Sequence, residues 1–221
     1  NKLMKYQYWG FAVILSLMLV LGKADATAAS DSFVSVADLK AELKSKNIDH
    51  IIKVMNRVKQ MSYQGQILTF LHDLWDEQEV KYPDLPWETI RVDVIKLEIA
   101  DILLQANANG KIKIDREKFH KFILELIDSA DIDVVRNAII ALSIIDDEKD
   151  VDKIFFIAKR QLKGTFRASV LTLSKMCNPA AGRALDRLED HVTKSDRKSF
   201  ITKTRDSMAT FKERTGWCKS N

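Results

Sequence analysis

The residues of this chain that could do metal or acid–base chemistry are few and scattered. Glu117 and His120 are three positions apart, which places both side chains on one face of a helix. A Glu-x-x-His pair is part of a carboxylate-bridged di-iron site, which requires a second such pair and two further glutamates. The chain has no second Glu-x-x-His, so the pattern favours a surface Glu and His on an amphipathic helix.

A second candidate is the segment 105–116, QANANGKIKIDR, which is similar to a calcium-binding EF-hand loop. Asparagines occupy its third and fifth positions, and Gly110 occupies the sixth. Gln105 replaces the aspartate of the first position, however, and Arg116 replaces the bidentate glutamate of the twelfth. Calcium requires those negative charges. We therefore predict no metal here, but a helix stop, a short turn and a new helix capped by Asp115.

The remaining reactive residue types lack recognisable partners. His72 is followed by an aspartate but has no further spaced ligands, and the chain contains no Gly-x-Ser-x-Gly motif and no P-loop. The acidic run over 146–152 precedes a helix, where carboxylates oppose the positive N-terminal end of the helix dipole. We interpret that run as helix capping, and we predict no catalytic residues and no cofactor.

The N-terminal segment has the three parts of a secretory signal peptide. Lys2 and Lys5 supply a positive start, residues 11–21 are apolar at all but one position, and small residues form an A-x-A site ending at Ala26. The apolar run is shorter than the roughly 20 residues that span a bilayer. We predict cleavage after Ala26, a soluble mature chain and a periplasmic or secreted location. An uncleaved N-terminal anchor is the alternative.

Charge and cysteine content narrow the possible partners and the compartment. Removing residues 1–26 takes away three lysines and one aspartate, which lowers the formal net charge from +4 to +2 and gives no support for a nucleic-acid partner. Cys177 and Cys218 are the only cysteines, and an even pair in an exported protein usually forms a disulfide. Such a bridge would close a loop of about 40 residues and stabilise the fold by about 3–4 kcal/mol.

Apolar residues at helical spacing predict an all-α protein. Ser35-x-x-Asp38 is typical of a capping box and predicts the start of the first helix. The segment YPDLP interrupts the helical pattern as a linker. We expect N-terminal helices over 27–84 and helical repeats with a C-terminal capping helix over 85–221, the two forming one continuous domain.

The second half of the chain repeats itself over residues 131–190. A shift of 31 residues places Arg136 on Arg167 and Leu142 on Leu173. Self-similarity at this period indicates stacked helical hairpins. A single hairpin cannot bury its apolar face alone, so neighbouring hairpins stack into a solenoid.

These residues carry a resemblance to a known family. The sequence Asp133-Val-Val-Arg136, followed by small residues, resembles the first helix of a HEAT repeat, and Phe166-Arg167 begins a weaker second copy. The resemblance is clear over 131–190. It implies an α-solenoid, structural roles for the Asp and Arg side chains, and a scaffold or partner-binding role. It does not imply a reaction, because a fold does not determine function.

The predicted binding surface follows from that resemblance. In HEAT-like stacks the second helix of each hairpin lines the concave face. With Ile154, Ile157, Leu185 and Leu188 buried, the opposite side of these helices carries mixed charges and one exposed Phe, which suits a protein partner. An ordinary solvated face is the alternative. The predicted partner-binding residues are Asp152, Phe156, Lys159, Arg183, Arg187 and Asp190.

The sequence therefore predicts an exported helical protein that binds another protein and is not an enzyme. In its most specific form, this is an immunity or inhibitor protein that neutralises a toxin acting in the bacterial envelope. A periplasmic scaffold or adaptor is the first alternative. A metal-dependent enzyme, with a site assembled from distant residues such as Glu117, His120 and His72, is the second.

Overall fold

Ten α-helices make up the fold in residues 35–61, 65–81, 89–160 and 162–219, the part of the chain that this computed structural model describes. This confirms the all-α prediction, and no strand occurs among these residues. The predicted signal peptide, the YPDLP linker and the expected boundary near residue 84 lie outside them. The helices are α1 (Val36–Leu43), α2 (Ile48–Gln60), α3 (Gly65–Lys81), α4 (Thr89–Ala108), α5 (Arg116–Leu126), α6 (Ile132–Ile145), α7 (Val151–Lys159), α8 (Lys163–Lys175), α9 (Pro179–His191) and α10 (Ser195–Thr215).

Side-chain caps determine where several helices begin. The Ser35 hydroxyl accepts a hydrogen bond from the amide of Asp38 at 3.2 Å, as the capping box predicts. Asp115 accepts from the first free amides of α5, and Asn178 accepts from the Ala181 amide at the start of α9. Each cap satisfies a donor that has no partner inside its own helix.

The helices pack in an alternating order. Each even-numbered helix from α2 to α8 packs against the next even-numbered helix. Among the odd-numbered helices, α3 packs on α4, α5 on both α4 and α6, α7 on α8, and α9 on both α7 and α8. The buried apolar side chains form one continuous core from Leu39 in α1 to Ile201 in α10. No helix of the described residues is long and apolar enough to cross a membrane.

Positions related by the 31-residue shift occupy similar surroundings. Leu142 and Leu173 are both fully buried, on the adjacent helices α6 and α8. The two arginines differ, because Arg136 forms an ion pair with Asp133 at 3.0 Å within its own helix. Arg167 instead lies 5.3 Å above the ring of Phe200 in α10. Both arginines therefore make structural contacts, with different partners.

Candidate functional site

The predicted partner-binding residues lie on two helices that pack against each other. All six are exposed on α7 and α9. Arg187 and Asp152 form an ion pair between these helices at 3.6 Å, and Arg183 pairs at the same distance with Glu148, just before α7. Because these pairs are solvated, each contributes at most about 1 kcal/mol to stability. We call the exposed side of α7 and α9 the α7/α9 face.

An exposed aromatic side chain distinguishes this face. Phe156 is 57% exposed, one of only three large apolar side chains so exposed among the described residues. Its ring meets Phe155 edge-on, with centroids 5.7 Å apart. Phe155 itself is buried, and the Arg187 guanidinium lies 4.3 Å above its ring. One aromatic ring is therefore covered by the protein, while its neighbour faces solvent.

The Glu-x-x-His pair is divided between surface and core. The expectation of a surface histidine is wrong, because His120 is only 8% exposed and its Nε2 lies 2.8 Å from the carboxylate of Asp150, itself 5% exposed. Burial raises the pKa of Asp150, and although the facing His120 opposes this shift, the pKa remains above its usual range. Glu117 is exposed, with a carboxylate oxygen 4.0 Å from His120 Nδ1. The His120–Asp150 pair joins α5 to the short turn that precedes α7.

This pairing also revises the interpretation of the acidic run. Asp147 does cap a 3-10 turn, accepting a hydrogen bond from the amide of Lys149 at 2.9 Å. Asp150 precedes α7 but makes no side-chain cap there, because its carboxylate faces His120. Asp146 has the left-handed φ of 56° that ends α6. The aspartates of this run therefore have three different roles, and the sequence predicted only the capping role.

The structure gives His72 surroundings of its own. His72 Nδ1 lies 3.9 Å from Asp76, one turn further along α3, and its ring centroid is 6.4 Å from that of Phe119. Within the described ranges, no group of three or more His, Cys, Asp or Glu side chains is arranged to hold a metal ion. These contacts give no support for the alternative in which His72, Glu117 and His120 form one metal-dependent site.

The EF-hand-like loop over 105–116 contains a positive charge of its own. The Arg116 guanidinium donates to Asn107 Oδ1 at 3.2 Å and to the carbonyl oxygen of Ile144 at 3.1 Å. Asn107 in turn donates to the carbonyl of Ile112 at 2.9 Å. Arg116 thus bonds to the amide oxygen that would be a calcium ligand at the third position, and it ties the loop to the end of α6.

A cluster of charged residues joins helices that are distant in sequence, and sequence reasoning missed it. Lys59 Nζ in α2 bonds to Glu98 in α4 and lies 2.8 Å from the carboxylate of Asp101. Lys175, at the end of α8, is 8% exposed and close enough to interact electrostatically with Asp101. We call Lys59, Glu98, Asp101 and Lys175 the ionic cluster. Glu98 and Asp101 are one helical turn apart, but no spacing in the sequence relates them to Lys59 or Lys175.

Burial and mutual charge shift the pKa values within the ionic cluster. Burial alone would lower the pKa of Lys59, but the charges of Asp101 and Glu98 outweigh it and hold that pKa above its ordinary value. Burial would likewise raise the pKa of Asp101, but Lys59 and Lys175 hold it below its usual range. Lys175 differs from Lys59, because its pKa lies below the ordinary value of a lysine. Burial is the largest cause of this decrease, and the positive charge of Lys59 adds to it. The attraction of Asp101 acts in the opposite direction but is too weak to cancel them. At neutral pH Lys59 and Asp101 therefore form a stable ion pair.

The C-terminal segment covers one side of the ionic cluster. Cys177 and Cys218 form the predicted disulfide, with Cα atoms 5.5 Å apart. Next to Cys218 in the chain, Trp217 has its ring centroid 4.4 Å from Lys175 Nζ. Gly216 ends α10 with a φ of 66°, a left-handed conformation that suits glycine and turns the chain back towards α8.

Comparisons with protein-family models, with curated proteins and with solved structures gave no match for this chain. The HEAT-like resemblance over 131–190 therefore remains a prediction. The contacts described above are the observations from which a function can be argued.

Proposed function

We propose that this chain is an exported, HEAT-like α-solenoid protein that binds another protein through the α7/α9 face. The observation that carries the proposal is Phe156, which is 57% exposed beside the solvated Arg187–Asp152 pair. Aromatic and arginine side chains are the residue types that contribute most to protein interfaces. An exposed Phe surrounded by charges of both signs suits a partner with an apolar pocket and a polar rim.

The solenoid part of the proposal is supported by the order in which the helices pack. Each of α4, α6 and α8 lies between two other even-numbered helices, as expected when successive hairpins stack on their neighbours. The Thr172 hydroxyl donates to the carbonyl oxygen of Ile139 at 2.9 Å, which links α8 to α6 at a separation close to the 31-residue period. A stack of this kind presents its outer helices as an extended binding surface.

Export is supported by two independent features of the chain. The first 26 residues follow the pattern of a cleavable signal. The Cys177–Cys218 bridge is of a kind that persists in oxidising compartments such as the periplasm. These features support the proposal that the binding takes place in the periplasm or the extracellular space.

In its most specific form, the proposal is that this is an immunity or inhibitor protein, whose partner is a toxic enzyme acting in the envelope. A tightly binding inhibitor requires only a stable surface complementary to its target, and the α7/α9 face rests on the buried core through Ile154 and Leu185. A scaffold or adaptor would need the same surface. The distinguishing property is that an inhibitor abolishes its partner's activity.

The experiment uses the purified protein to capture partners from an envelope extract and then measures the activity of each captured protein with and without it. We expect stoichiometric inhibition that is lost in Phe156→Ala and Arg187→Glu. Lys111→Glu is the matched control, because Lys111 is also exposed but lies in the loop before α5. Capture without inhibition would indicate a scaffold. Equal loss of binding in the control, or none in the two face variants, would contradict the proposed face.

A further inference from the structure

We propose that the Cys177–Cys218 disulfide is a redox-sensitive latch that holds Trp217 over Lys175, and that its reduction exposes the Lys175 amine and opens the ionic cluster. We call the disulfide together with Trp217 the tail latch. The proposal concerns α8 and the C-terminal segment, so it does not depend on the α7/α9 face or on the identity of any partner.

The tail latch lies directly against the amine of a buried lysine. Lys175 is the last residue of α8, yet it is only 8% exposed. The Trp217 ring, 4.4 Å from its Nζ, supplies a cation–π contact. Trp217 reaches this position from the short turn that follows α10, and its neighbour Cys218 is bonded to the residue two places after Lys175.

Reduction would release only this last turn, because other contacts hold α10 to α8. The rings of Phe166 in α8 and Phe200 in α10 lie 6.3 Å apart, and arginines from the opposite helix stack on both. Lys212 Nζ donates to the carbonyl oxygen of Met176 at 2.6 Å. These contacts do not involve sulfur. Among the described residues the disulfide is the covalent link between this tail and α8, while Trp217 also lies 6.0 Å from the ring of Phe211 in α10.

The disulfide is accessible to a reductant, since Cys218 is exposed. Thiolate attack on a disulfide sulfur is limited by access. In the proposed step a dithiol reductant supplies two electrons and two protons. The Cys177–Cys218 bond breaks, two Cys thiols form, and the dithiol closes into its own disulfide. Thioredoxin-like proteins are the biological class able to do this, and dithiothreitol serves as the probe.

The test measures the acetylation rate of individual lysines by peptide mass spectrometry, using a small water-soluble acetylating ester on oxidised and dithiothreitol-reduced protein. Breaking the disulfide removes the constraint on the loop between Cys177 and Cys218 and strongly favours local opening of the C-terminal segment. We therefore expect Lys175 to react at least about tenfold faster after reduction. Lys153 in α7 is the internal reference, because its side chain is already 41% exposed and far along the chain from the latch.

Three variants make the outcome specific. Cys218→Ser should react like reduced wild type without any reductant. Trp217→Ala should expose Lys175 while the disulfide stays intact, whereas Trp217→Phe, which retains a ring, should restore much of the shielding. The proposal is overturned if Lys175 reacts equally fast in oxidised and reduced protein. It is also overturned if Lys153 accelerates together with Lys175 as helical circular dichroism is lost, because the disulfide would then be a staple of the whole fold.

Discussion

The carboxylate of Asp146 accepts the main-chain N–H of Cys177 through both of its oxygens, each at 3.0 Å. These two residues are 31 positions apart, the period of the sequence repeat, and they follow the ends of α6 and α8. Asp146 also accepts the side-chain amide of Asn178 at 2.7 Å. A single carboxylate thus joins the C-terminal ends of two stacked helices and lies directly beside the disulfide.

Replacing Asp146 should destabilise the protein through two separable effects. Asp146→Ala removes the bonds to Cys177 and Asn178 and places a Cβ-bearing residue without a local side-chain bond at a φ of 56°. We expect a loss of about 2–4 kcal/mol in the free energy of unfolding, measured with urea. Asp146→Gly tolerates the left-handed backbone but lacks the carboxylate. If Asp146→Gly is more stable than wild type by the full relief of the left-handed conformation, about 1 kcal/mol, the hydrogen bonds contribute nothing.

Removing Lys59, the central cation of the ionic cluster, should destabilise the protein and should change how its stability depends on pH in the acidic range. Lys59→Met leaves Glu98 and Asp101 facing each other in partly buried positions, so we expect a loss of about 2–4 kcal/mol at pH 7. The conservative comparison is Glu98→Gln, which keeps the Lys59–Asp101 pair and should lose less.

The pH dependence of this variant follows from the direction of the Asp101 shift. In wild type the folded pKa of Asp101 is depressed, so its stabilising contribution is complete above the unfolded pKa of about 3.9. That contribution disappears as the pH falls through the lower, folded pKa. Lys59→Met removes the first cause of the depression, so its stability should fall less steeply over this acidic range. Parallel acid-unfolding curves for the two proteins would contradict this account.

The buried pair of His120 and Asp150 should show strong energetic coupling. Either His120→Ala or Asp150→Ala leaves a buried polar partner without its 2.8 Å hydrogen bond, and each should cost about 1–3 kcal/mol. The double variant should cost less than the sum of the two, with a coupling of at least about 1 kcal/mol. Additive effects in this double-mutant cycle would mean that the two side chains act independently.

The α7/α9 face should tolerate substitution without loss of stability. Phe156→Ala removes a ring that is mostly in solvent, so we expect its unfolding free energy to stay within about 0.5 kcal/mol of wild type. Its affinity for the captured partner should fall at least about tenfold, the range of an interface hot spot. Isothermal titration calorimetry of wild type and variant checks both affinity and stoichiometry. An unchanged dissociation constant would remove Phe156 from the interface.

The sequence predicted those features that depend on neighbouring residues. Ser35 and Asp115 cap helices as expected, because a cap bonds to amides only two or three positions away. The disulfide was predictable because the chain has only two cysteines. The periodic apolar residues predicted the all-α class. By contrast, His120 was assigned to the surface because spacing alone does not show which polar residue of a helix turns inward.

What the sequence by itself determined is therefore the set of helices, their caps and the pair of cysteines. Only the tertiary structure decided that His120 meets Asp150 and that Lys175 lies near Asp101. The physical reason is the separation along the chain of the residues that make each contact. Caps and amphipathic stripes depend on backbone geometry over one or two turns, which the residue order specifies directly. Contacts between residues 30 or more positions apart depend on how whole helices pack, and each such contact is one of many that the same composition allows.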